Sequence, residues 1–288
     1  MARPGDAAGR RPWTLHRGNA LLLVPPGLFL LVFFFWPLLR VMARSVIEPE
    51  FGFENYARVF GSGPYVRVLW QTIETAGIVT VLCLILAYPL AYAVARAEGT
   101  RLKLLMIFVL VPLWTSVVIR SYGWMIVFQR QGVLNDLLLS LGLTETRLTL
   151  LPGSLAVHVG MVHIMLPFMI LPLIASMRGI DHSLLRAADV LGAPPHRRFL
   201  EVFLPLSLPG VSAGVALVFM TSLGFFITPA LLGGPQLMMA AVLIEEKANV
   251  ELDWPFASAL ATTLLLITTA LYLVYLRLTR GASPLLGR

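Results

Sequence analysis

The sequence predicts an all-α membrane protein of six transmembrane helices. Three observations carry that reading. Only 13% of the 288 residues are charged, about half the share that a water-facing surface demands. Six apolar runs each reach the roughly 20 residues that a helix needs to cross a bilayer. The basic residues collect in alternate connections between those runs, as topology signals do.

The first run, 20–42, follows Arg3, Arg10, Arg11 and Arg17, an arrangement that superficially fits a secretory signal. It is longer than an ordinary signal core, and Arg40 and Arg44 stand where a small-residue cleavage site belongs, so it reads as an uncleaved span. The remaining spans fall at 70–95, 103–128, 155–177, 203–232 and 256–277. The run 231–244 is also apolar, but Gly233, Gly234 and Pro235 break it, which predicts an outer cap or a re-entrant piece. The organisation is thus a tail over 1–19, one transmembrane domain over 20–280 with a polar loop at 178–202, and a tail over 281–288. Pro89, Pro112, Pro167, Pro172, Pro205, Pro209 and Pro229 lie within or beside the spans. Each frees a carbonyl that a neighbour or water must satisfy.

With the N-terminus inside, Arg96, Arg101, Lys103, Arg178, Arg186, Arg197, Arg198 and Arg277 join the basic N-terminal tail on the inner side. Glu48, Glu50, Glu54, Asp136, Glu145, Glu245, Glu246, Glu251 and Asp253 fall outside. The bias places both termini in the cytoplasm. Trp36, Trp70, Trp124 and Trp254 then approach the outer interface as an aromatic belt.

Several functions are disfavoured. The net charge of +7 is scattered among short clusters, not gathered on one face as nucleic-acid binding requires. Cys83 is the single cysteine, and no His or Cys spacing suits a metal. No cofactor is expected. A phosphate loop of the G-x-x-x-x-G-K-[ST] type is missing, so the chain is not its own ATPase.

The loop at 178–202 is the most informative segment. Ser183 suits an N-cap, Leu184, Leu185, Ala188 and Leu191 then share one helical face, and Gly192 with Pro194 and Pro195 ends the helix. This short amphipathic helix has no core of its own to join. It either docks on a partner or lies on lipid.

The stretch Leu185-Arg-Ala-Ala-Asp-Val-Leu-Gly192, ending at Val202-Phe-Leu-Pro205, resembles the EAA loop of ABC importer permeases. The pattern is E-A-A, three residues, Gly, nine residues, then I-x-L-P. Ala187, Ala188, Gly192, Val202, Leu204 and Pro205 fall in register, and Arg186 stands where the pattern has glutamate. Further stretches resemble the spermidine/putrescine branch: Tyr88-Pro-Leu-Ala-Tyr92, Arg120-Ser-Tyr-Gly-Trp124, Gly132-Val-Leu-Asn135, Leu166-Pro-Phe-Met-Ile-Leu-Pro172, Leu204-Pro-Leu-Ser-Leu-Pro-Gly210 and Phe226-Ile-Thr-Pro229.

The resemblance implies a type I ABC importer permease fold in the bacterial inner membrane. Leu185, Arg186, Ala187, Ala188, Gly192, Val202 and Pro205 would then form the coupling element that meets a cytoplasmic ATPase dimer. A second homologous permease and a periplasmic substrate-binding protein complete the implied assembly, and ATP hydrolysis belongs to the partner. The implied cargo is a small organic cation, above all a polyamine; relatives carry opines, aminophosphonates, other amines or iron. A secondary transporter is the remaining alternative, but the second half does not repeat the first.

Ionisable residues inside a bilayer default to functional candidates. Glu74 and Arg120 qualify. Glu74 with Tyr88, Tyr92 or Trp114 would offer a carboxylate and aromatic faces to a cation. The competing expectation is that Glu74 and Arg120 pair with each other or reach the interface. Glu245 and Glu246, in one acidic outer stretch with Glu251 and Asp253, suit docking of the binding protein, or simply a solvated loop.

Overall fold

The computed structural model describes residues 22, 24–48 and 50–282 and is helical almost throughout. The predicted tail 1–19, the start of the predicted first span and residues 283–288 lie outside the described residues, with Arg3, Arg10, Arg11, Arg17 and Arg288 among them. In chain order the helices are α1 Val24–Ile47, α2 Glu54–Gly61, α3 Gly63–Ala95, α4 Gly99–Trp114, α5 Val117–Phe128 and α6 Val133–Ser140. There follow α7 Ser154–Arg178, α8 His182–Val190, α9 Pro195–Leu223, α10 Ile227–Leu232, α11 Ala240–Glu245 and α12 Trp254–Ala282. Among the described residues, α1, α3, α7, α9 and α12 are long and apolar enough to cross a membrane. A sixth span exists if α4 and the limb after it count as one.

That limb corrects the straight span expected at 103–128. The chain leaves the helix at Thr115 and Ser116, and Gly99–Trp114 stands at 96° to Val117–Ser140. Pro112 donates no backbone hydrogen bond, and the Thr115 hydroxyl donates to the Pro112 carbonyl at 2.8 Å, so the turn closes locally instead of propagating. The span expected at 203–232 is also interrupted. α9 ends at Leu223, and a separate short helix, α10, buries Thr228, Pro229 and Leu232; the break expected at Gly233–Pro235 follows it. Two helices widen into a π turn just before a proline: Leu31–Phe35 ahead of Pro37, and Arg198–Phe203 ahead of Pro205. In each, an extra residue in the turn relieves the clash between the ring and the carbonyl four residues back.

The centre is a three-helix packing of α7 against α3 and α9. Met161, Ile164, Met165, Met169, Ile170 and Leu173 of α7 are fully buried there with Val79, Cys83, Ala87 and Ala91 of α3. Glycine makes the crossing possible. A methyl group on Gly210 would come 2.5 Å from Ser176 Cβ and 3.0 Å from the Pro172 carbonyl oxygen; one on Gly214 would come 2.6 Å from Met169 Sδ. α1 and α12 form an outer pair that packs antiparallel, with Arg44 lying over the Trp254 ring at 5.6 Å. α1 turns Phe29, Phe33, Phe34 and Phe35 outward, an apolar surface suited to lipid.

The helix ends sort into two faces. At one, Tyr65 of α3 packs against Phe256 of α12, beside α2 and α11. At the other, Arg178 at the end of α7 donates to the carbonyls of Val94 and Ala97 at the end of α3, at 3.5 and 3.3 Å, and α8 follows. The start of α1 and the end of α12 belong to this α8 face, because their opposite ends meet at Arg44 and Trp254.

The glycine crossing generates a test. Gly210→Val should lower the stability of the detergent-purified protein by about 1–3 kcal/mol, as overpacking does, read as a lower melting temperature. Gly77→Ala, where nothing lies within 4 Å of the added methyl, should not. Equal melting of both variants would refute the close approach.

Candidate functional site

α8 is set by its two ends. Its N-cap is Asp181, not the expected Ser183: Asp181 is extended, and its Oδ1 accepts from the Ser183 backbone N–H at 2.8 Å. The hydrogen bond from the Ser183 side chain, reinforced by that backbone bond, holds the Asp181 carboxyl below its usual range. At the other end Gly192 has φ +79°, with Gly192 N–H donating to the Asp189 carbonyl and Ala193 N–H to the Ala188 carbonyl, both at 3.0 Å. This paired closure needs a left-handed residue, which is why glycine stands there.

The apolar face of α8 divides. Ala188 is buried and Leu185 packs against the central cluster, so this side is anchored to the protein itself, contrary to the expected lack of a core. Leu184, Val190 and Leu191 stay exposed, the last two at 88% and 86%. Arg186 and Ala187 are exposed, with no hydrogen bond or ion pair at Arg186 among the described residues. Asp189 accepts at both carboxylate oxygens from Arg198 Nη1 at 2.7 Å, closing the loop onto the π turn of α9. Val202 is half-buried within that turn, and Pro205 lies just beyond it.

Tyr88 and Tyr92 belong to this α8 end. Tyr88 hydroxyl shares a 2.8 Å hydrogen bond with Ser207 Oγ. Tyr92 packs edge-on against Phe199 and Phe203 at 5.8 and 5.0 Å and accepts from Arg96. Glu74 precedes Tyr88 on the same helix by 14 residues, about 21 Å of helical rise, so the structure does not bring Glu74 together with either tyrosine. Trp114 is 84% exposed at the end of α4 and makes no ring contact with them.

Glu74 and Arg120 form no ion pair. Glu74 is exposed on α3, at the head of a stripe continued by Ile78, Val81 and Ile85. Arg120 on α5 is partly buried, with Nε and Nη1 inaccessible and lacking acceptors. Nearby, Trp124 Nε1 donates to His163 Nδ1 at 3.0 Å. An indole only donates, so His163 carries its proton on Nε2. These two side chains line a groove of about 420 Å³ with Leu82 and Leu86 of α3 and Val159, Val162 and Leu166 of α7. Trp124 therefore faces the protein, stacked on Phe128, and not the aromatic belt. No spacing in the sequence pairs Trp124 with His163; only the bend after α4 does.

At the opposite end, two of the four acids of the acidic stretch are neutralised. Glu251 pairs with Lys247 at 2.6 Å and Asp253 with Arg58 at 3.0 Å, leaving Glu245 and Glu246 half-buried without a partner among the described residues. A larger hollow of about 510 Å³ lies there, lined by Ala57, Arg58, Gly61, Ser62 and Tyr65, away from the groove. Asn135 is structural: it donates to the carbonyls of Gln129 and Leu148 and accepts from the Leu148 N–H, clamping the segment after α5.

Comparison with known proteins agrees with this arrangement. The family described as binding-protein-dependent transport system inner membrane component matches residues 85–284. The spermidine/putrescine transport system permease protein PotB of Haemophilus influenzae is 36% identical over 235 residues, covering 82% of this chain and 80% of that protein. PotB of Escherichia coli K12 is 35% identical over 261 residues, covering 88% and 94%. A subunit of the bacterial alginate ABC transporter, solved in complex with an alginate pentasaccharide-bound periplasmic protein, superposes with a TM-score of 0.76 at 19% identity, covering 92% of this chain and 94% of that one. The chain belongs to the family of binding-protein-dependent transport system inner membrane components.

Proposed function

We propose that this permease forms half of the membrane pathway of a polyamine-type ABC importer and takes up mechanical work through α8. Its family makes it an inner-membrane transport subunit and not an enzyme, with ATP hydrolysis in a separate partner. The observation that carries the coupling role is the division of α8. Leu185 and Ala188 are seated on the bundle, while Val190 is exposed on the opposite side and Leu191 is exposed at the C-terminal end of the helix. A helix lying on lipid turns its apolar residues back toward the bilayer; Val190 turns away from it, toward a partner in solution.

The partner is then a cytoplasmic ATPase dimer, with a second permease beside the chain and a substrate-binding protein at the opposite face. The arginine bias supports a cytoplasmic α8 face and cytoplasmic termini. ATP shifts the transporter between inward- and outward-open states because the closed ATPase dimer binds one arrangement of the two α8 helices better than the other. The PotB relatives support spermidine or putrescine as cargo. Glu74, at the head of the stripe that leads toward the groove, would pair with an ammonium group. A zwitterionic cargo such as an aminophosphonate is the second reading, favoured by the acceptor-free nitrogens of Arg120.

Two tests follow. In proteoliposomes with the partner permease, ATPase and binding protein, Leu191→Asp should abolish ATP-driven spermidine uptake while leaving the melting temperature unchanged, since Leu191 is exposed; undiminished uptake would refute coupling through α8. Glu74→Gln should raise the half-saturating spermidine concentration by about tenfold, equivalent to about 1.4 kcal/mol. An unaltered saturation curve would remove Glu74 from the pathway.

A further inference from the structure

Resting on the reading that α8 docks on the ATPase, we propose that the ATPase cleft presents a carboxylate to Arg186. Successive helical residues turn by about 100°, so Arg186 and Val190 share the side of α8 that looks away from Leu185 and Ala188. The exposed residues of α8 and its C-terminal end are His182, Ser183, Leu184, Arg186, Ala187, Asp189, Val190 and Leu191; of its two exposed formal charges, Asp189 is paired with Arg198 and Arg186 is not paired among the described residues.

The other charges of the loop are already committed. Asp189 is held at both oxygens by Arg198. Asp181 caps Ser183; it senses the Arg186 charge but forms no ion pair with it. Arg178 is spent on the carbonyls of Val94 and Ala97. Arg197 and Glu201 stay exposed beyond α8, and His182 and His196 are exposed at its flanks.

Seating Val190 and Leu191 in an apolar cleft also strips water from Arg186, one helical turn from Val190. A guanidinium desolvated without a partner is strongly unfavourable, whereas an opposing carboxylate restores its hydrogen bonds and fixes the orientation of the helix. The recognition element is therefore an apolar cleft with a single acid at its edge. An anionic lipid headgroup is the competing source of negative charge; it would engage Arg197 as readily as Arg186.

The test measures the Kd of the cognate ATPase for the two-permease complex in phosphatidylcholine nanodiscs, where the lipid has no net charge. Arg186→Glu should weaken binding by about tenfold or more, and Arg186→Lys much less. Arg197→Glu, on an exposed cation, should stay within about twofold. If Arg186→Glu binds like the unaltered chain while Leu191→Asp releases the ATPase, the carboxylate is wrong and docking through α8 stands. If neither releases it, docking itself falls. Equal losses from Arg197→Glu and Arg186→Glu would replace the specific acid with diffuse attraction of basic charge and overturn the proposal.

Discussion

The close crossing of α7 with α9 is the constraint on which the rest of the molecule depends. In lipid, apolar side chains gain little by leaving acyl chains for one another, so helices associate through shape and close contact. Gly210 lets the α9 backbone approach Pro172 and Ser176 at distances that a Cβ could not keep, and Gly214 brings it close to Met169, where a Cβ would require the Met169 side chain to move. α8 hangs between the end of α7 and the start of α9, with Leu185 and Ala188 seated on the same bundle. A force applied to α8 therefore reaches both helices at the place where neither can slide independently.

The π turn before Pro205 extends that logic. It sits between α8 and the straight part of α9, and its wider turn presents Phe199 and Phe203 to Tyr92 while Ser207 meets Tyr88. Arg178 closes the same end by donating to the last carbonyls of α3. α3, α7 and α9 are thus cross-tied at the α8 end, and α8 is seated on a three-helix unit and is not a free lever. In the proposed reading, this tie is what turns a displacement at the ATPase into a rearrangement of the pathway.

Local chemistry made much of this visible in the sequence. Gly192 was legible because a helix closing into a left-handed residue strongly favours glycine there, and the α8 segment was legible from its period. Ser183 was mistaken for the cap because both it and Asp181 are good capping residues, and backbone conformation chooses between them. The break at Thr115 was hidden because Pro112 resembles the prolines that α3 and α7 carry without breaking. The grouping of Glu74 with Tyr88 and Tyr92 failed on helical rise alone. Trp124 and His163 were beyond reach: they lie 39 residues apart, and the 96° bend that joins them is a tertiary outcome.

The intramembrane charges lie at two levels. Cys83 Sγ reaches the Val162 carbonyl at 3.7 Å, so that level of α3 matches the level of His163, beside which Arg120 lies. Glu74 stands nine residues earlier on α3, about 13 Å nearer the opposite face. Rotation about an axis normal to the membrane preserves depth, so a second copy of this chain would bring its Glu74 no closer to that level. Glu74 and the buried Nε and Nη1 of Arg120 are thus held at different depths, within the chain and equally across a two-fold pair of copies, and act as separate charged positions.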